Sequence, residues 1–97
     1  MLEEFAAANP NDAFTRYGLA LECTNTGDSA AALEHFRLLV AAHPEYVPAY
    51  FHFGQLLAKL SQPDAARKIF ADGIAVANKA GDAHAVSELQ AALDDLG

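Results

Sequence analysis

The sequence predicts an all-α fold, a short solenoid of antiparallel helix pairs closed by a terminal capping helix, and three observations predict it. Similar residues return at an offset of 34 positions, and turn-forming clusters recur at matching points. Alanine-rich blocks such as Ala6-Ala7-Ala8 and Ala30-Ala31-Ala32 favour closely packed helices over strands. With 97 residues, 53% of them hydrophobic, the chain is expected to form one folded domain, residues 1–97.

The offset pairs Tyr17 with Phe51, Leu19 with Phe53, Ala20 with Gly54, Cys23 with Leu57, Ala32 with Ala66, Phe36 with Phe70 and Val40 with Ile74. Size and polarity agree at each pair. The same shift lays Leu2 over Phe36, Phe5 over Leu39, Ala7 over Ala41, Ala8 over Ala42 and Pro10 over Pro44. The chain is therefore expected to begin halfway through a unit. Residues 1–12 form a half repeat, 13–46 the first repeat, 47–80 the second, and 81–97 a C-terminal capping helix.

The elements follow in order. A short helix near 2–8 stops at Asn9-Pro10-Asn11-Asp12, and a second runs over 13–25 to Asn25-Thr26-Gly27-Asp28. Asp28 or Ser29 can accept a hydrogen bond from the first amides of a helix over 29–42, which His43-Pro44-Glu45-Tyr46 ends. The next helix spans 47–60. Ser61 and Asp64 then have the spacing of a capping box, and Pro63 stands where its missing N–H costs nothing, opening a helix over 63–79. Gly81 can end that helix and Asp82 can cap the last one, 83–96. Val86, Leu89, Leu93 and Leu96 make its apolar stripe, while Glu88, Gln90, Asp94 and Asp95 face water as a terminal helix requires.

Thirteen acidic against six basic side chains give a net charge of −7, which opposes binding to a nucleic-acid backbone and favours a basic or neutral partner. Cys23 is the only cysteine, so no disulfide forms within the chain and a reducing compartment fits best. The amino terminus lacks the pattern of a secretory signal, and no run approaches the roughly 20 apolar residues of a membrane span. A cytoplasmic location with no membrane contact is the expectation.

No enzyme is expected. His35, His43, His52 and His84 show no metal-ligand spacing, and there is no glycine-rich phosphate loop or serine in a nucleophile turn. Cys23 holds a helix-packing position matched by Leu57, so it reads as a buried inert thiol. His52 reads as a surface histidine. No cofactor is implied.

In the second unit Tyr50, Phe53, Gly54, Leu57, Ala66, Phe70 and Gly73 set large, small and aromatic residues in a fixed order. In the first, Leu19, Ala20, Cys23, Ala32, Phe36, Leu39 and Pro44 do the same. This pattern resembles the tetratricopeptide repeat family, whose fold is a right-handed α-α superhelix. Two positions depart from it. Arg16 stands where the pattern prefers an aromatic, so its aliphatic stem must do the packing, and Asn78 replaces the closing proline, so that helix is free to run on toward Gly81.

On a helical wheel, Leu19, Ala20 and Cys23 lie on one side of the helix 13–25, with Phe14, Tyr17 and Leu21 almost opposite. One face packs within its hairpin. The resemblance implies that the other lines a concave groove holding a peptide or amphipathic helix. Carried over position by position, that groove would present Phe14, Tyr17, Leu21, Thr24 and Asn25, then Phe51, Gln55, Ala58 and Lys59, with His84 and Ser87 from the last helix. The plainer alternative buries Phe14 and Tyr17 against Leu2 and Phe5. Family members that clamp a partner's terminal carboxylate use lysine, asparagine and arginine, but Tyr17, Leu21, His52, His84 and Glu88 lie near those places here. The expected function is thus that of a protein-binding adaptor or scaffold for an apolar or amphipathic segment. The alternative is a self-associating module whose apolar groove is buried in a homodimer.

Overall fold

The structure is a computed structural model and describes residues 12–97; the helix expected near 2–8 lies outside the described residues. Those residues form α1 (Ala13–Asn25), α2 (Ser29–Ala42), α3 (Val47–Lys59), α4 (Pro63–Ala80) and α5 (Ala83–Asp95), with no strand among them. They fall in two compact units, one ending at Tyr46 and the other spanning Val47–Gly97. None of these helices is long and apolar enough to cross a membrane.

In the first unit α1 packs on α2, burying Ala20, Ala32, Phe36 and Leu39. In the second, α4 packs between α3 and α5, and α3 also touches α5. Phe53, Leu56, Leu57, Ala66, Phe70, Ala77 and Leu89 fill that core. Equivalent positions recur in kind: Ala20 and Gly54, Ala32 and Ala66, and Phe36 and Phe70 are buried in both units. Leu19 and Cys23 are half-buried where Phe53 and Leu57 are buried. On α5 Leu89 is sealed inside while Glu88, Gln90, Asp94 and Asp95 stay exposed.

Helix boundaries follow from backbone groups that need partners. The first amides of α1, α2 and α5 are capped by aspartates: Asp12 accepts from Thr15 N at 2.8 Å, Asp28 from Ala31 N at 3.2 Å and Asp82 from Ala85 N at 3.0 Å. Three helices close alike. Gly27, Ser61 and Gly81 take left-handed backbone (φ 83°, 62° and 72°). Each donates its N–H to the carbonyl three residues back, on Thr24, Ala58 and Asn78. The following residue donates at 2.9 Å to Cys23, Leu57 and Ala77 respectively. Without a proline at Asn78, α4 runs on to Ala80.

The capping box expected of Ser61 and Asp64 does not form. Gln62 is the N-cap residue of α4 and makes no side-chain cap bond, because Ser61 is used up closing α3 in the left-handed region. Ser61-Gln62 thus stands where the other two turns have Gly-Asp. Ser61→Gly removes a side chain from strained backbone, and Gln62→Asp supplies the missing acceptor at a backbone similar to that of Asp28. Together they are expected to stabilise the protein by about 1–2 kcal/mol. A thermal melt followed by circular dichroism checks this; no rise in midpoint would mean the turn is not strained.

Candidate functional site

Phe14, Tyr17, Leu21, Thr24 and Asn25 recur at helical spacing along α1, with the buried Ala20 at the edge of the stripe beside Tyr17 and Thr24. Asp12 anchors the start of this helix by accepting from both the amide and the hydroxyl of Thr15, the latter at 2.7 Å. Those two bonds, the hydroxyl first, hold the Asp12 carboxyl below its ordinary range. Thr15 is the one polar residue in the described core, and satisfying its hydroxyl within the cap is what lets it be buried.

Phe14 is 68% exposed, the most exposed large apolar side chain among the described residues. Tyr17 is half-buried with its ring edge-on to Tyr46, centroids 5.5 Å apart. Burial pushes both phenols up; Tyr46 adds to the rise at Tyr17, and Asp12 to that at Tyr46. Both stay neutral at ordinary pH. Leu21 is half-buried, Asn25 is exposed, and the Thr24 hydroxyl donates to the Ala20 carbonyl at 2.9 Å, turning it back onto its own helix. In the alternative that buries Phe14 and Tyr17, the partners Leu2 and Phe5 lie outside the described residues.

In the second unit Phe51, Gln55 and Lys59 share one face of α3, four residues apart. Phe51 is half-buried and meets the His52 ring edge-on at 5.4 Å, while Gln55 and Lys59 are exposed. Of the lesser candidates, Ala58 is half-buried and Ser87 exposed. His84, exposed on α5, lies 3.5 Å from the Glu88 carboxylate one turn on. His52 is half-buried rather than at the surface, because α5 comes against α3 within this unit. Burial pushes its proton affinity down, and the Glu88 charge opposes that shift.

Two contacts beside these stripes have no signal in the sequence. Tyr46 reads as a turn residue, and nothing in its spacing signals the edge-on pair with Tyr17. The contact between Arg16 on α1 and His35 on α2 joins two residues 19 positions apart and has no motif. Among the described residues no group of three or more His, Cys, Asp or Glu side chains could hold a metal ion, and Cys23 is a half-buried thiol.

Residues 26–93 match the tetratricopeptide repeat family, which is well over half of the chain. The solution structure of a tetratricopeptide repeat domain protein from Salinibacter ruber is 40% identical, with a TM-score of 0.86 over 90% of this chain and 88% of that one. A crystal structure of a tetratricopeptide repeat domain protein from the same organism gives 40% identity and a TM-score of 0.83 over 88% and 94%. The solution structure of a Bordetella parapertussis protein is 29% identical, with a TM-score of 0.84 over 98% of this chain and 83% of that one. A TPR repeat-containing protein of Pseudomonas aeruginosa is 28% identical over 95 residues, 98% of this chain and 90% of its own.

Proposed function

This chain belongs to the tetratricopeptide repeat family, which generally mediates protein–protein contacts, and we propose that it is an adaptor binding an apolar or amphipathic segment of another protein. Each unit offers such a docking face by itself: Phe14, Tyr17 and Leu21 on α1 in the first, and Phe51, Gln55 and Lys59 on α3 in the second, whose α5 carries His84. The carrying observation is Phe14. It stands exposed on the face of α1 that the hairpin core does not use, continuous in sequence register with Tyr17 and Leu21. Aromatic anchors of this kind supply most of the energy at protein interfaces. The net charge of −7 favours a partner segment that is neutral or basic. The single thiol, Cys23, is what supports placing this adaptor in the cytoplasm.

The test titrates the protein with a synthetic amphipathic helix of leucine and lysine and with its leucine–glutamate counterpart. Binding of the first and not the second is expected. Phe14→Glu, on an exposed position, should leave the fold intact and weaken binding about tenfold, and Tyr17→Glu with Phe51→Glu should abolish it. Unchanged affinity in Phe14→Glu would overturn the assignment. Sedimentation of the same variants separates the second outcome, a homodimer that dissociates when these faces become charged.

A further inference from the structure

All four histidines of the chain fall in described positions, and carboxylate charge reaches each of them. His43 Nδ1 lies 3.6 Å from Glu45, His84 Nε2 lies 3.5 Å from Glu88, and the charge of Glu88 also reaches His52. His35 is different. Its Nδ1 lies 3.1 Å from Nη1 of Arg16, across the interface of α1 and α2. A guanidinium has no acceptor, so Arg16 donates, Nδ1 accepts, and the ring proton sits on Nε2. The repeat offset places Tyr50 at the position of Arg16 and Ile69 at that of His35, so the second hairpin has no titrating pair there.

We propose that the Arg16–His35 contact is an acid-sensitive latch that holds the first hairpin shut at neutral pH and loosens it when His35 takes up a proton. Protonation converts the accepting Nδ1 into a donor, which breaks the bond, and sets two cations against each other in a partly buried contact. Among the described residues, the charged groups facing His35 are Arg16 from α1, Glu34 beside it on α2, and Asp28 at the start of α2. The two carboxylates draw the other way, and burial together with Arg16 outweighs them, so His35 binds its proton less readily than the ordinary value of 6.5. The sign follows from linkage. The unfolded or opened chain protonates first, so the latch contributes fully above about pH 6.5 and is lost as pH falls below it.

Amide hydrogen exchange of the full chain between pH 7.5 and 5.5, corrected for intrinsic rates, reads this directly. The opening equilibrium of α1 and α2 should rise by up to about tenfold per pH unit below the histidine range; buried His52 gives α3 an acid response of its own, so the comparison is made within α1 and α2, between wild type and variants. His35→Asn keeps an acceptor near the Nδ1 position without a titration and should flatten the response. Arg16→Met removes the cation but keeps the stem, and should shrink the slope while returning His35, followed by its ring proton resonance, toward ordinary titration. An equal acid slope in wild type and His35→Asn overturns the latch. So does an unchanged slope in Arg16→Met, which would leave burial alone as the cause.

Discussion

Phe70→Ala is expected to cost about 3–5 kcal/mol, the range for emptying an aromatic site in a core that cannot collapse. Phe70 is 1% exposed, and three atoms of its ring lie where a Cβ on Gly54 would have to be. Glycine brings no side chain that could move into the vacated space, so the cavity persists from that side. A chain of this length carries about 5–15 kcal/mol of stability in all, so the variant should keep only a small margin and melt some 15 °C or more below wild type. Phe36→Ala, at the same position of the first repeat and equally buried, should fall in the same range. Urea titration followed by circular dichroism checks both. A loss under about 1 kcal/mol in either would mean that the aromatic at this position does not hold its hairpin closed.

The fold was legible because its signals are local and repeated. Each helix start and stop rests on a short cluster, and a cluster that is ambiguous once becomes firm when it returns 34 residues later. The turn at Ser61 escaped for the same reason: the serine imitates a cap by its spacing, while its backbone does what Gly27 does one repeat earlier. The face of α1 bearing Phe14 and Tyr17 could be drawn from a helical wheel, since one face of a helix is fixed by periodicity alone. What a wheel does not contain is which side chain arrives from elsewhere. Tyr46 reaches Tyr17 from a turn, and His35 reaches Arg16 from the neighbouring helix; both contacts depend on how elements meet. Arg16 read alone was a poor packing residue. With His35 opposite, it becomes half of a polar pair, a substitution that needs two positions seen together.

Two glycines of the second hairpin are expected to respond differently to the same change, and the difference lies in what each one touches. A Cβ on Gly73 would lie 2.6 Å from Cβ of Tyr50, 3.1 Å from its Cγ and 3.2 Å from Cδ1 of Leu89. The Tyr50 Cβ is fixed by its backbone, so no rotamer relieves the contact, and α3 and α4 must move apart. Gly73→Ala gains about 1 kcal/mol of helix propensity and loses more than that to overpacking, while Gly73→Leu, which copies Leu39 of the first repeat, should cost about 3 kcal/mol. Around Gly54 the crowding atoms belong to the Phe70 ring, the far end of a side chain that can be shortened. Gly54→Ala should therefore be rescued in part when Phe70 is changed to leucine, with a coupling of about 1 kcal/mol or more in a double-mutant cycle. Gly73→Ala should gain little from Tyr50→Ala, because alanine keeps the offending Cβ. Equal coupling in the two cycles would show that α3 and α4 approach through yielding side chains at both places, and that the second hairpin is not set by backbone contact at Gly73.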